Sequence, residues 1–222
     1  MNKTNKIRCP RCHSDQLYKF GLDKQANQKY QCKKYRRQFA PFFKQKANSF
    51  KSQLDFKSDD WHADETVVFI NGKRYYLWLA IDSETRFILA FHLTKSRSED
   101  SAFTLINEAK KFGEPSNFFT DRLPPYNQAV ATVFPNTVHI TVAPMFSDTN
   151  NNLIESFNKT FKAWYKAKKG FNSFNKSNNL IWLFIFHYNF IRPQSSLNNL
   201  TPAEVVGFAS DSYKRNSWFV AA

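Results

Sequence analysis

Two long strand-like runs joined by Asn71-Gly72 restrict the fold more than any other feature of the chain. Asn-Gly readily supplies the two positive-φ residues of a type I′ turn, so Trp61 to Ile70 and Tyr75 to Asp82 are expected to form a hairpin. A third strand is expected from Arg86 to Leu93, after the turn residues Ser83-Glu84-Thr85. The period then changes: Ala102, Leu105, Ile106, Ala109 and Phe112 form the apolar stripe of an amphipathic helix, with Ser98 as its N-cap and Gly113 as its stop. Asn117 to Thr120 reads as a short strand running into Asp121, Tyr126 to Phe134 as a helix, and Thr137 to Val142 as a fifth strand. Helices over 152–168 and 177–191 close the domain. Three turn-linked strands followed by helix, strand, helix, strand and helices is a mixed α/β order.

Charge narrows the partner. The formal net charge is +14, beyond what solubility asks. Residues 1–60 carry 15 Lys/Arg against 5 Asp/Glu, residues 61–155 carry 8 against 11, and residues 156–222 carry 9 against 2. Basic ends around an acidic middle suit a protein that grips phosphates and holds divalent metal between the grips. An AT-rich coding sequence, rich in Lys, Asn and Phe codons, would account for part of the same bias without any such partner. Met1 to Arg8 is polar and basic with no apolar run behind it, and the longest apolar run, Leu180 to Phe186, is too short to span a bilayer. Three cysteines, all within the first 32 residues, do not form a secreted disulfide framework. A cytoplasmic protein with no membrane partner is expected.

The acids of the middle segment are the candidate metal ligands, because divalent ions that act on phosphodiesters prefer carboxylates gathered from different elements. Asp64 stands between Ala63 and a Val/Ile-rich run, where an acid is costly unless paired or metal-bound. Asp121 ends the fourth strand, and strand ends are where open α/β sheets bind ligands. Glu155 lies on a helix whose Leu153, Phe157, Phe161 and Trp164 face inward, and it leads a row of Lys159, Lys162 and Lys166. Residue physics alone favours a surface Glu–Lys pair there. Glu65 is expected on the strand face opposite Asp64, and so outside the same site. Asp82 reads as a turn former, Asp148 as solvated, and His62 and His139 as structural. Arg97, Arg122, Lys159 and Lys162 are candidate phosphate contacts, and Trp164 and Tyr165 candidate stacking platforms for a base.

An ordered set of motifs ties these residues together: Trp61-His62-Ala63-Asp64-Glu65-Thr66, Tyr76 to Asp82, Thr120-Asp121 followed by Tyr126, Asn151-Asn152-Leu153-Ile154-Glu155, Tyr188 to Pro193, and Thr201-Pro202-Ala203-Glu204. With 56 residues between the aspartates and 33 between Asp121 and Glu155, the set resembles the catalytic domain of DDE transposases of the IS6/IS240 insertion-sequence family, over Trp61 to about Val206. The resemblance implies a ribonuclease-H-like fold: a mixed five-stranded sheet flanked by helices. It also implies Asp64, Asp121 and Glu155 as ligands of two Mg²⁺ ions, DNA ends and target DNA as partners, and a homodimer or larger assembly. Gln194 departs from the family, whose closing motif often has His after Arg-Pro.

Cys9-Pro10-Arg11-Cys12 and Cys32 resemble the zinc ribbon found ahead of some related transposase domains, with Tyr35 where a fourth cysteine would stand. Zn²⁺ held by Cys9, Cys12 and Cys32 would lack a fourth protein ligand, unless His13 served. Zinc-bound or as a metal-free basic arm, this module can hold DNA through Arg8, Arg11, Lys33, Lys34, Arg36 and Arg37. The expected organisation is a ribbon-like module over 1–40, a linker over 41–60, the DDE domain over 61–207 and a tail over 208–222. A helix-turn-helix needs roughly 50 residues, more than the linker has, so an internal deletion is expected. The reading that follows is DNA cleavage and strand transfer. The alternatives are an inactive DNA-binding remnant and a ribonuclease-H-like nuclease.

Overall fold

The computed structural model of the chain describes residues 9, 14–22, 28–34, 38–39, 56, 59–142 and 151–208. The chain divides into two compact units, residues 1–53 with 216–222, and residues 54–215. In the small unit, β1 (Leu17–Leu22), β2 (Gln28–Cys32) and β3 (Gln38–Phe39) form an antiparallel sheet in that order. Cys9 and Cys32 are both buried there, and Lys33 and Lys34 are exposed. Cys12, Tyr35, His13, Arg8, Arg11, Arg36, Arg37 and most of the 41–60 linker lie outside the described residues.

The large unit is built on β4 (Asp60–Ile70), β5 (Lys73–Asp82), β6 (Ile88–Thr94), β7 (Asn117–Thr120) and β8 (Val138–Thr141), in the order β6-β5-β4-β7-β8. The first three strands are antiparallel, and β4, β7 and β8 run parallel. Asn71 and Gly72 take φ of 50° and 73°, so the hairpin closes between Ile70 and Lys73 as the dipeptide requires. The third strand starts at Ile88 rather than Arg86. Asp82 Oδ1 accepts hydrogen bonds from the Thr85 backbone at 2.8 Å and its hydroxyl at 2.6 Å, and Arg86 then takes φ 58°, which holds the chain in a turn for longer.

One face of the sheet carries α1 (Glu99–Ala109) and α2 (Pro125–Val133). Trp61 packs edge-on against Phe134 and Trp78 edge-on against Tyr126 on this side. The other face carries α3 (Asn151–Ala167) and α4 (Phe174–Phe190). Leu77, Leu79 and Ile81 of β5 pack there with Phe157 and Phe161 of α3 and with Ile181 and Phe184 of α4. Burying a Phe or Leu side chain contributes roughly 1.5–3 kcal/mol, so this aromatic layer is what fixes α3 on β4 and β5. α4 begins three residues earlier than its apolar pattern suggested, because Ser177 lies in its first turn, bonded back to the Ser173 carbonyl.

Two of the family-like motifs have structural explanations. Asn189 brackets Ile88, donating to its carbonyl and accepting from its N–H, both at 2.9 Å, which locks the end of α4 onto β6 where the strand register shifts. Thr201 and Glu204 form a reciprocal capping box on α5 (Pro202–Val205). The two base-stacking candidates are used by the fold: Trp164 packs on Phe161, Phe171 and Phe184, and the Tyr165 hydroxyl bonds the Phe69 backbone N–H and carbonyl.

Candidate metal centre

β4 brings Asp64 to the face that carries α3. There Asp64 Oδ2 accepts a 2.9 Å hydrogen bond from the Asn158 side-chain amide. Asn158 is buried, three residues after Glu155, so the same turns of α3 that present Glu155 also orient Asp64. Burial, with the negative charge of Asp121 next, pushes the Asp64 carboxyl up to about 6. Asn158 and the Lys162 ammonium oppose that shift, and Glu155 adds to it. The Asn158 oxygen is buried without a hydrogen-bond partner, so one polar atom next to Asp64 is left uncompensated.

Asp121 leaves β7 at its C-terminal end. Its Oδ1 accepts from the Leu123 N–H at 3.0 Å, a local turn that fixes the carboxylate before α2 starts. Thr120 below it shares a 2.8 Å hydrogen bond with His139 of β8, and His62 stacks on Phe119 at 4.6 Å between centroids. Burial lowers the pKa of His139 and holds His62 down at about 4. Both histidines are therefore neutral framework groups at neutral pH.

Ligand oxygens of Asp64, Glu65 and Asp121 lie within 4.8 Å of one another. Strand alternation does hold, since Glu65 lies on the α1/α2 face opposite Trp78 and Tyr126. The inference that alternation keeps Glu65 away from the site does not. Pairing of β4 with β7 ends at His62 and Phe119, before residues 64 and 65, and beyond it the Glu65 carboxylate lies near those of Asp64 and Asp121. Glu65 is ion-paired with Arg97, which is therefore taken up within the protein, although the arginine is still 44% exposed. Glu155, Lys159 and Lys162 are exposed on α3, and Glu155 and Lys162 are felt electrostatically at Asp64.

The donors are all carboxylate oxygens, the ligand type hard divalent ions prefer, and the Asp121 charge adds to burial in raising the Asp64 pKa, a cost that a bound cation would offset. The residues present fit a divalent cation. Asn158 was missed as a site residue; its signal was a buried amide one helical turn beyond the candidate glutamate.

A family described as a DDE domain, the IS240 type of transposase, matches residues 58–191. The chain belongs to that family. Among relatives, it is 34% identical over 122 residues to the transposase of insertion sequence-like element IS431mec from Staphylococcus aureus, a match covering 54% of this chain and 53% of that protein. The transposase of IS257 in transposon Tn4003, also from Staphylococcus aureus, matches to the same extent. The chain thus spans about half the length of these relatives. Among solved structures, the HTLV-2 integrase catalytic core aligns with TM-score 0.53 at 15% identity, covering 68% of this chain and 98% of that one. The BIV integrase catalytic core aligns with TM-score 0.51 at 13% identity, covering 67% and 93%. These likenesses show the ribonuclease-H-like fold expected of this family member. Among the described residues, no helix is long and apolar enough to cross a membrane.

Proposed function

We propose that the chain is a transposase that cleaves DNA at the ends of an insertion sequence and joins them to a target, with Asp64, Asp121 and Glu155 holding two Mg²⁺ ions. The observation that carries this is the approach of the Asp64 and Asp121 oxygens, from two different strands, at the open end of β7. Bound Mg²⁺ would supply activation of water, then of a DNA 3′-hydroxyl, and would stabilise the attacking and leaving oxygens of an in-line displacement. The chain's own residues do the rest. Asn158 orients Asp64, the Leu123 N–H orients Asp121, and α3 presents Glu155 beside Lys159 and Lys162, whose charges suit DNA phosphates.

The further parts of this reading are that Arg8, Arg11, Lys33, Lys34, Arg36 and Arg37 form a DNA-binding arm, and that Cys9, Cys12 and Cys32 hold Zn²⁺. The buried placement of Cys9 and Cys32 in the small unit supports the second. Paired-end chemistry requires at least two copies of the chain. Asp64→Asn should abolish Mg²⁺-dependent strand transfer on element-end DNA while leaving DNA binding largely intact. Unchanged transfer by that variant would refute the assignment.

A further inference from the structure

Glu65 lies beside the metal ligands, yet its environment differs from theirs. Its side chain is 2% exposed, its Oε1 is ion-paired with Arg97, and its Oε2 faces the hydroxyl of fully buried Tyr126 at 3.5 Å. Arg97, from the segment between β6 and α1, is seated over the Tyr76 ring with its guanidinium carbon 5.6 Å from the centroid. Each Glu65 oxygen thus has a protein group in front of it. Asp64, one residue earlier, is held by a neutral amide.

A buried carboxylate within 4.8 Å of two others would ordinarily join them as a ligand or repel their charge. A guanidinium seated on an aromatic ring and paired with one carboxylate oxygen, while the Tyr126 hydroxyl faces the other, prevents both, because it neutralises the carboxylate and both of its oxygens are engaged. We propose that Arg97 and Glu65 form a neutral positioning pair that keeps Glu65 out of the metal shell and thereby sets the charge and ligand set of the Asp64/Asp121 centre. This rests on the metal-dependent reading above. Removing Arg97 alone leaves an extra negative charge beside the metal; removing the Glu65 charge alone leaves an extra positive one. Removing both leaves the sum unchanged.

The test is a titration of the full chain with Mn²⁺, following the electron paramagnetic resonance signal of free Mn²⁺. Arg97→Gln should bind Mn²⁺ about tenfold more tightly and Glu65→Gln about tenfold more weakly, roughly one decade per unbalanced near charge. The double variant should return to within about threefold of the unmodified chain, as should Arg97→Lys, which keeps the charge. Glu65→Gln is close to isosteric and Arg97 is partly exposed, so at least the arginine variants are expected to fold. A double variant as weak as Glu65→Gln would make Glu65 a ligand and overturn the proposal. So would an affinity unmoved by any substitution, the result for a merely structural ion pair. Asp64→Asn separates the two readings: if it loses Mn²⁺ while the Arg97 series shows no coupling, only this proposal falls. No Mn²⁺ binding by the unmodified chain overturns both.

Discussion

Asp64 and Glu65 are consecutive acids on one strand, and the protein treats them in opposite ways. Asp64 faces α3, where its hydrogen bond comes from an uncharged amide and burial raises its pKa to about 6. Glu65 faces α1 and α2, where Arg97 neutralises it against a Trp78–Tyr126 wall. Two half-buried acids of similar chemistry therefore have different surroundings. On the proposed reading, the one without a cationic partner in direct contact accepts the metal ion, and the one with such a partner is part of the wall. The contrast also explains how the domain tolerates three carboxylates in so small a space: one of the three charges is cancelled within the protein.

The contrast can be broken most severely at Asp121, the second strand acid. Asp121→Asn should reduce strand transfer by more than the roughly 10–100-fold that loss of an outer-shell partner costs, as measured by joining of labelled element-end DNA. Next comes the pH response of the metal-free chain. Because the folded pKa of Asp64 lies above its model-peptide value of 3.8, its contribution to stability is complete below pH 4 and is lost as pH rises through about 6. At about 1.4 kcal/mol per unit, that loss is on the order of 3 kcal/mol. Urea melts in chelator should show Asp64→Asn gaining stability relative to the unmodified chain between pH 4 and pH 7, and adding Mg²⁺ at pH 7 should erase the difference. Equal pH profiles would show that Asp64 is not strained.

Smaller effects test the supports of each acid. Asn158→Ala removes the amide that orients Asp64 and should weaken Mn²⁺ binding about 10–100-fold, with little change in the far-ultraviolet circular dichroism. On the other side, Tyr126→Phe removes a contact at the limit of hydrogen-bond length and should cost no more than about 1 kcal/mol in a urea melt. A larger loss would show that Tyr126, and not Arg97 alone, holds Glu65.

Much of this architecture was legible in the residues. Asn71-Gly72 announced the hairpin, the stripe from Ala102 to Ala109 announced α1, and Phe157 and Phe161 announced the buried face of α3, because each signal is local: turn chemistry or a repeat with the period of its element. Asp64 and Asp121 were legible for a related reason, since an acid within an apolar strand or at its end is conspicuous. Glu155 owed its assignment to family resemblance, and its electrostatic influence on Asp64 agrees with that placement without testing its role. Trp164 and Tyr165 were open to two readings, because an aromatic residue on a helix looks the same whether it packs inward or waits for a base. Which occurs depends on Phe171 and Phe184, which come from elsewhere in the chain.

The sequence by itself determined the order of elements in the large unit, the hairpin and the family, and singled out Asp64 and Asp121 as candidates. Period, turn chemistry and motif spacing are properties of the chain before it folds. Only the tertiary structure decided that β7 stops short beside Asp64, that Asn158 reaches it, and that Arg97 crosses from another loop to Glu65. Alternation along a strand tells which side a residue leaves from. Where its carboxylate ends up depends on whether a neighbouring strand stands in the way and which charge lies across the gap, and both are set by residues distant in the chain.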